Sequence, residues 1–289
     1  MKTLHRAGLL VLLLLVLARA LYNLGSNNLD LKSVTYGNGL FVAVGGRGAI
    51  FISPYGADWT KLNSPTRNFL YGVAYGNNTF VVVGDGGTIL TSPDGVNWTK
   101  QASGTSRNLH GVTYDNGTFV AVGGTILTSP DGVDWTEQTS PTTDFLYDVT
   151  YGNGTFVAVG SGGTILTSPD GVNWTEQNSP TSSFLYGVAY GDGAFVAVGR
   201  AGRRGVILTS PDGVNWTEQT SPTRNFLYGV AYGNGLFMAV GELGTILISP
   251  DGVDWTEQTL STLDFLYGVT YGNGIFVVVG NRGAIFIFR

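Results

Sequence analysis

The sequence of 289 residues contains no cysteine and only two histidines, and charged residues make up just 12% of it. A chain without cysteine cannot form a disulfide, carry a lipid on a cysteine or build a thiolate metal site. Hydrophobic residues show no helical periodicity after residue 20. These absences exclude a disulfide-stapled domain and argue against a helical one. Because one of the histidines, His5, lies in the N-terminal segment, we also expect no metal site and no cofactor.

The residues that are abundant favour β-structure. Hydrophobic residues make up 43% of the chain, and there are 44 glycines against 10 prolines. This hydrophobic content can bury a large core, which excludes a disordered chain. Abundant tyrosine, phenylalanine, valine and threonine beside glycine are typical of short strands joined by tight turns.

The N-terminal segment has the three parts of a secretory signal. Lys2 and Arg6 precede an apolar stretch at residues 8–17, and Ala18-Arg19-Ala20 has the A-x-A form of a cleavage site. We therefore predict a signal peptide at residues 1–20 and export to the periplasm, the cell surface or the medium. We expect no membrane span in the mature chain, because the apolar stretch is short. An uncleaved anchor or a buried strand is the alternative for this segment.

One eight-residue stretch recurs through the chain. It reads SPDGVNWT at residues 92–99, and near-copies begin at residues 129, 168, 210 and 249, with a degenerate SPYGADWT from residue 53. Each copy contains one tryptophan: Trp59, Trp98, Trp135, Trp174, Trp216 and Trp255. The tryptophans are 39, 37, 39, 42 and 39 residues apart. This spacing is the period of one four-stranded propeller blade.

Each repeat has the pattern of four short strands. Between residues 69 and 101, FLYGVAY, TFVVVG, TILTS and VNWTKQ alternate with turns whose Asn-Gly and Asp-Gly pairs suit hairpins. A YGNG-type marker occurs seven times, but the seventh repeat stops at Arg289, before its tryptophan strand. We therefore predict an all-β fold with one domain at residues 21–289. It is a seven-bladed β-propeller of four-stranded antiparallel blades, built of repeats of about 39 residues. An open solenoid is the alternative, and we expect a monomer.

The last blade is incomplete at the C-terminus, and its missing strand has no assigned source. One repeat period before Trp59 lies the stretch Ala20–Asn23, which overlaps the predicted cleavage site. A stub at Leu21–Leu24 could close the ring, the last blade could keep three strands, or the leader could be retained. The sequence leaves these three alternatives open.

The S-P-D-G-x-x-W hairpin after a TILTS strand resembles the Asp-box, or bacterial neuraminidase (BNR) repeat, of β-propellers, in a variant one residue shorter. The whole repeat is similar to bacterial propellers grouped with photosystem II stability and assembly factors. The resemblance covers residues 31–289 and implies an architecture that hosts enzymes, receptors and scaffolds alike. We expect the repeated aspartates to cap their own turns while the tryptophans pack on the blades. These aspartates are Asp94, Asp131, Asp170, Asp212 and Asp251.

Candidates for catalysis are few. Resemblance to sialidases would imply an R-I-P segment, which is missing here, and glycosidases need two carboxylates facing each other. Within the LYGVAY segment of the inner strand, Asp148 is the only acidic departure, at a position where five other blades have glycine. His110 replaces an inner-strand tyrosine, and Lys32 and Ser33 replace a Tyr-Gly pair in blade 1. We therefore expect no catalytic residue, and a glycan-cleaving hydrolase that uses Asp148 is an alternative.

Charge is distributed unevenly over the predicted ring. Without the leader the chain has 12 basic and 20 acidic residues, a net charge of −8, which argues against nucleic-acid binding. Strand order places the turns between second and third strands, and the loops between blades, on one face, where the blades differ in sequence. Eight arginines fall on this face: Arg47, Arg67, Arg107, Arg200, Arg203, Arg204, Arg224 and Arg282.

Arginine guanidinium groups suit carboxylates, phosphates and anionic glycans. We therefore expect a non-catalytic, exported propeller that binds a protein or an anionic glycan through its arginine-bearing face. An assembly factor for a membrane complex is a further alternative, which depends on the family resemblance alone.

Overall fold

Seven four-stranded sheets surround a central channel in the computed structural model of the protein, and each sheet is one blade of a β-propeller. The structure describes residues 15–16, 29–258 and 260–289. Within each blade the strands are antiparallel and neighbour one another in chain order, apart from the outermost strand of blade 7. The predicted all-β, seven-bladed fold is confirmed.

Four strands make up each blade, from the channel outwards. The innermost strands are β2 (Leu31–Gly37), β6 (Leu70–Gly76), β10 (Leu109–Asp115), β14 (Leu146–Gly152), β18 (Phe184–Gly191), β22 (Leu227–Gly233) and β26 (Leu266–Gly272). The second strands are β3 (Leu40–Gly45), β7 (Thr79–Gly84), β11 (Thr118–Gly123), β15 (Thr155–Gly160), β19 (Ala194–Ala201), β23 (Leu236–Gly241) and β27 (Ile275–Gly280). The third strands are β4 (Ile50–Ser53), β8 (Ile89–Ser92), β12 (Ile126–Ser129), β16 (Ile165–Ser168), β20 (Arg204–Ser210), β24 (Ile246–Ser249) and β28 (Ile285–Phe288). The outermost strands are β5 (Thr60–Lys61), β9 (Thr99–Gln101), β13 (Thr136–Gln138), β17 (Thr175–Glu176), β21 (Thr217–Gln219), β25 (Thr256–Gln258) and, for blade 7, β1 (Leu15–Val16). Within the described ranges, no helix has the length and apolar character needed to cross a membrane.

The second strand of each blade forms the centre of the core. In blade 2 the run Phe80–Val83 is fully buried. Because alternate side chains of a strand point to opposite faces of the sheet, this continuous apolar run packs against both neighbouring blades. Seven hydrophobic clusters result, and each is shared by two adjacent blades. One cluster joins Phe41 of blade 1 to Val277 of blade 7, so apolar packing closes the ring.

Glycine in the YGNG turns allows the blades to approach one another. A Cβ added at Gly76 of blade 2 would overlap the ring of Tyr114 in blade 3. The same relationship links Gly37 to Tyr75 and Gly152 to Tyr190. The tyrosine and the glycine of this marker therefore serve the contact between blades.

The seventh blade combines the two ends of the described chain. The C-terminal part supplies three strands, as predicted. The short strand β1 pairs antiparallel with the outer edge of β28, with Leu15 opposite Phe288 and Val16 opposite Ile287. These two residues lie within the predicted signal peptide, the rest of which falls outside the described residues. The proposed stub at Leu21–Leu24 also falls outside them.

Short turns between the second and third strands distinguish the blades. Five of them are one-turn 3₁₀ segments, at Gly46–Gly48, Asp85–Gly87, Ser161–Gly163, Glu242–Gly244 and Asn281–Gly283. The central residue of each turn has a left-handed backbone. It is Gly86 or Gly162 in two blades, but Arg47, Leu243 and Arg282 in the others, with φ of 58°, 53° and 54°.

Blades 3 and 5 depart from this pattern in opposite ways. In blade 3 the turn is shortened, and the backbone N–H of Gly123 donates to the carbonyl of Thr125 at 2.9 Å. In blade 5 the hairpin is lengthened, since Ala201 pairs with Arg204 beyond the end of the other blades. The lengthened hairpin, which is three residues longer than in the 39-residue repeats, projects residues 200–204 from the ring.

Candidate functional site

The two ends of the strands form two different faces of the ring. The variable face consists of the turns between second and third strands and the loops between blades, whereas the constant face consists of the YGNG and SPDG turns. On the variable face, side chains join each turn to its neighbours. The amide of Asn68 donates to Thr88 Oγ1 at 2.8 Å, and Gly86 N donates to Asn108 Oδ1 at 2.8 Å. Turns and loops therefore form one continuous surface.

On the constant face, each repeated aspartate is engaged by its own turn. The Asp94 carboxylate accepts hydrogen bonds from two backbone N–H groups of that turn, both at 2.8 Å, and from the Ser92 hydroxyl at 2.9 Å. These bonds hold the pKa of Asp94 well below its usual range. Trp98 Nε1 donates to the carbonyl of Gly95 at 3.0 Å. The same carboxylate contacts recur at Asp131, Asp170, Asp212 and Asp251. The same indole contact recurs at Trp59, Trp135, Trp174, Trp216 and Trp255.

Blade 1 lacks this aspartate. Tyr55 stands in its place, and its side chain is 72% exposed. The Ser53 hydroxyl, which corresponds to the Ser92 hydroxyl, is buried and has no hydrogen-bond partner. The degenerate repeat therefore leaves one buried polar group unsatisfied, which is destabilising.

The eight arginines predicted to bind a partner all lie on the variable face. Seven side chains are exposed and Arg200 is half-buried. Among the described residues, two of the eight form ion pairs: Arg204 with Glu218 at 2.6 Å and Arg107 with Glu137 at 3.8 Å. The guanidinium groups of the other six, Arg47, Arg67, Arg200, Arg203, Arg224 and Arg282, have no carboxylate partner within the described chain.

One groove brings three of these arginines together. Arg203, Arg204 and Arg224 line a cleft of about 410 Å³ beside blade 5, together with Ser221 and Thr223. Arg204 is already in an ion pair, and the Ser221 hydroxyl donates to the carbonyl of Thr223 at 3.2 Å. The groups available to a ligand are therefore the guanidinium groups of Arg203 and Arg224. The remaining arginines belong to other blades and do not line this groove.

Arg200 has a different environment. Its guanidinium carbon lies 4.5 Å from the centre of the Phe184 ring and 5.4 Å from that of Phe226. Both distances fall within the range of cation–π attraction. Arg200 therefore packs against two phenylalanine rings, each of which lies two residues before an inner-strand tyrosine in the sequence.

A belt of side chains surrounds the channel near the variable face. Near the start of every inner strand the register shifts, for example between Leu70 and Gly72 in blade 2, which marks a β-bulge. A bulge re-aims the side chain of the extra residue. The seven bulged residues line the channel and are called the belt here: Lys32, Tyr71, His110, Tyr147, Tyr186, Tyr228 and Tyr267.

Neighbouring members of the belt contact one another. The rings of Tyr71 and His110 stack with centroids 4.5 Å apart. From His110 round to Tyr267, successive centroids are 5.3 to 5.6 Å apart. The ammonium of Lys32 lies 3.5 Å from the centre of the Tyr267 ring and 3.3 Å from the Asp30 carboxylate. Burial lowers the pKa of both Lys32 and His110.

The channel encloses a cavity of about 180 Å³, and Asp148 is the one carboxylate that lines it. The Asp148 carboxylate accepts a hydrogen bond from Val149 N in its own blade at 2.9 Å and another from Val188 N in blade 5 at 3.0 Å. Burial raises the pKa of Asp148 to about 7, although these two hydrogen bonds act in the opposite direction. At neutral pH, Asp148 is therefore partly protonated.

Acidic residues of the variable face lie close to the belt. The Tyr228 hydroxyl donates to the Glu242 carboxylate at 3.1 Å. Burial and the neighbouring Asp85 carboxylate raise the pKa of Tyr71 to about 12, and burial with Asp30 and Glu242 raises the pKa of Tyr267 to about 12. The centre of the variable face is therefore aromatic and acidic. None of the eight arginines lines the channel cavity.

The channel does not offer the geometry of a glycosidase. Cleavage of a glycosidic bond needs a pair of carboxylates across the site, and Asp148 has no second carboxylate facing it in the cavity lining. Across the part of the chain that the structure describes, no three histidine, aspartate or glutamate side chains are grouped as metal ligands would be.

Sequence reasoning recognised Asp148, His110 and Lys32 as departures and placed Asp85 and Glu242 on the variable face, but it did not reveal that these two carboxylates lie beside Tyr71 and Tyr228 of the belt. The sequence positions of Asp85 and Glu242 could have indicated this contact, because each directly follows a second strand. The end of a second strand lies beside the start of the inner strand with which it pairs antiparallel. Sequence reasoning also missed that Arg200 packs on phenylalanine rings.

Comparison with known proteins adds a family and a set of similar folds. The family model described as "DUF6242 beta propeller domain" matches residues 22–138 and, a second time, residues 125–227. The double match reflects the internal repeat. No curated protein matches the sequence.

Solved structures with the same fold include YCF48 from Cyanidioschyzon merolae, with 17% identity, a TM-score of 0.72, and coverage of 91% of this chain and 97% of that one. A structure of YCF48 bound to D1 peptide has 18% identity, a TM-score of 0.73, and coverage of 91% and 92%. A catalytically inactive virginiamycin B lyase from Staphylococcus aureus with quinupristin has 15% identity, a TM-score of 0.79, and coverage of 91% and 96%. The expected similarity to photosystem II assembly factors thus holds for the fold.

Proposed function

We propose that this chain, which belongs to the DUF6242 beta propeller domain family, is a binding module that docks an acidic protein segment on its variable face. The proposal includes a non-catalytic role and export directed by residues 1–20. The observation that carries it is the set of exposed arginines without carboxylate partners, two of which line one groove with Ser221 and Thr223.

Backbone strain supports a use for two of the arginines. Arg47 and Arg282 occupy left-handed positions, with φ of 58° and 54°, where Gly86 and Gly162 stand in other blades. A residue with a Cβ in this conformation costs roughly 1 kcal/mol. Leu243 occupies the same position in blade 6 without a charge, so we assign a binding role to Arg47 and Arg282 because they are also exposed and have no carboxylate partner among the described residues.

A protein segment is a better fit than a glycan. A fold similar to this one, that of YCF48, has been solved with a bound peptide. A segment that carries carboxylates would match the planar guanidinium groups, whose paired N–H donors recognise carboxylate in a bidentate manner. The similarity to YCF48 also supports, at the level of fold, the assembly-factor alternative.

The experiment measures binding of a fluorescein-labelled deca-glutamate peptide and of heparin by fluorescence polarisation and competition. We expect the peptide to bind wild-type protein and to bind the Arg203→Ala/Arg224→Ala variant about tenfold more weakly, a loss of about 1.4 kcal/mol. The matched control is Lys61→Ala/Lys100→Ala, which removes the same charge from exposed outer strands and should bind as wild type does.

Each outcome decides between the alternatives. Equal losses in both double variants would show a non-specific charge effect and would refute the proposal. Binding of heparin alone, with the same dependence on the arginines, would transfer the site to an anionic glycan. If neither probe binds to folded protein, the proposal that the protein binds a ligand through its arginine-bearing face is also refuted.

A further inference from the structure

Asp148 is a half-buried carboxylate in the channel wall, and no cation is paired with it among the residues described. Its hydrogen bonds come from the neutral N–H groups of Val149 and Val188, and it has no ion pair among the residues described. The one cation in the cavity lining, Lys32, is already held by Asp30 and by the face of Tyr267. A buried charge is costly unless it is paired, so the site gains free energy from any cation that reaches it.

The cavity beside Asp148 has room for an organic group. Five other blades have glycine at this position: Gly72, Gly111, Gly187, Gly229 and Gly268. Side chains are disfavoured there, since a Cβ at Gly229 would come within 2.7 Å of the Tyr267 carbonyl oxygen. The resulting volume of about 180 Å³ compares with about 30 Å³ for one water in the liquid. A short alkyl chain therefore fits.

The entrance from the variable face favours positive charge. The belt tyrosines lie beside the carboxylates of Asp30, Asp85 and Glu242. Two cations of the chain itself already lie against aromatic rings here, since Lys32 contacts the face of Tyr267 and Arg200 contacts the face of Phe184. Aromatic faces and a carboxylate together form the usual environment for organic ammonium groups.

From this arrangement we infer that the channel is a second ligand site, which binds an alkylammonium group with its nitrogen at Asp148 and its methylenes inside the belt. The ligand is either a free amine or a lysine side chain of another protein. This inference does not depend on the proposed function, because it uses the channel and none of the groove arginines.

Isothermal titration calorimetry with n-butylammonium chloride tests the site. The neutral isostere 1-butanol and the anionic isostere butyrate are the controls for the alkyl chain. We expect n-butylammonium to bind wild-type protein and the two isosteres to bind at least about tenfold more weakly, because only the ammonium pairs with Asp148.

Two variants test whether Asp148 binds the ammonium group. Asp148→Gly installs the residue that five other blades have, and Asp148→Asn is a second variant that keeps the side-chain size. Asp115→Gly is the matched control, since it removes the same charge at an exposed position where the six other blades have glycine. Both changes at Asp148 should weaken n-butylammonium binding by about tenfold or more, whereas Asp115→Gly should not change it.

Spermidine and an acetylated, amidated Gly-Lys-Gly peptide distinguish the two ligand sources. Binding of either one with the same dependence on Asp148 supports the site and identifies the source. Equal binding of n-butylammonium, 1-butanol and butyrate would overturn the inference. Unchanged binding in a folded Asp148→Gly variant, or no binding of any amine to wild-type protein, would also overturn it.

Discussion

The carboxylate of Asp148 in blade 4 accepts a hydrogen bond from the backbone N–H of Val188 in blade 5, at 3.0 Å. This hydrogen bond connects the inner strands β14 and β18, which belong to separate sheets. The same carboxylate has no counter-ion among the described residues, and desolvation raises its pKa, so its ionisation opposes folding. One substitution in a near-perfect repeat thus joins two blades and places a titratable charge in the channel.

The stability of the protein should therefore depend on the protonation of Asp148. Burial raises its pKa to about 7, above the ordinary value of 3.8. Between these values the folded protein keeps a proton that the unfolded chain loses, so raising the pH from about 4 to about 8 lowers the free energy of unfolding. The cost is a few kcal/mol, at about 1.4 kcal/mol per pKa unit.

Urea unfolding of wild type and Asp148→Gly across this range measures the effect. The difference between the two proteins isolates Asp148, because His110, whose pKa burial lowers, contributes the opposite slope equally to both. A difference that stays constant with pH would show that Asp148 is not a destabilising charge.

Blade 1 should be stabilised by restoring the repeated aspartate. Tyr55→Asp supplies an acceptor for the buried Ser53 hydroxyl, which has no partner. We expect a gain of about 1 kcal/mol in the free energy of unfolding, the usual effect of a capping side chain. Tyr55→Ala is the control, since it removes the tyrosine without adding an acceptor. Equal stability of the aspartate and alanine variants in urea unfolding would contradict this assignment.

The period of the repeats was enough to predict the blades, and the reason is physical. Each repeat cannot bury its apolar second strand alone, so runs such as Phe80–Val83 require a neighbour on both sides. Asn-Gly and Asp-Gly pairs then set where the strands turn. These are local signals, and they determine the fold almost completely.

The site was less predictable because it depends on relations between blades. The bulge that directs Tyr71 into the channel is a register shift between two strands, which single-sequence patterns do not reveal. The packing of Arg200 on Phe184 and Phe226 joins residues from two blades. The sequence left three alternatives open for the outer edge of the last blade, and in the structure Leu15–Val16, within the predicted leader, pairs with β28.

Arg47 and Arg282, whose backbone is in the left-handed region, allow an effect on stability to be distinguished from an effect on peptide binding. Arg47→Gly and Arg282→Gly should leave the free energy of unfolding unchanged or raise it by up to about 1 kcal/mol, because glycine accepts a positive φ without strain. Both should weaken binding of the deca-glutamate peptide. Arg67→Gly is the control at a loop position without positive φ, and there glycine should lower stability. Clear destabilisation by Arg47→Gly would show that the arginine side chain is structural.

The N-terminal strand connects export to ring closure. Cleavage after Ala20 would remove Leu15–Val16 and leave the outer edge of β28 unpaired. A chain that starts at Leu21 should therefore exchange its amide hydrogens faster in Ile285–Phe288 than the full chain does, with little change in blades 2 to 5. Equal exchange rates in the two chains would show that β1 contributes nothing to the closure of the ring.

An acidic segment is proposed to dock on the variable face. Hydrogen–deuterium exchange of the protein with and without the deca-glutamate peptide tests it most directly, because it reports both faces at once. On peptide binding we expect slower exchange at residues 200–205 and 221–224, and none of this protection in the SPDG turns of the constant face. Protection confined to the constant face, or evenly spread over both, would contradict it.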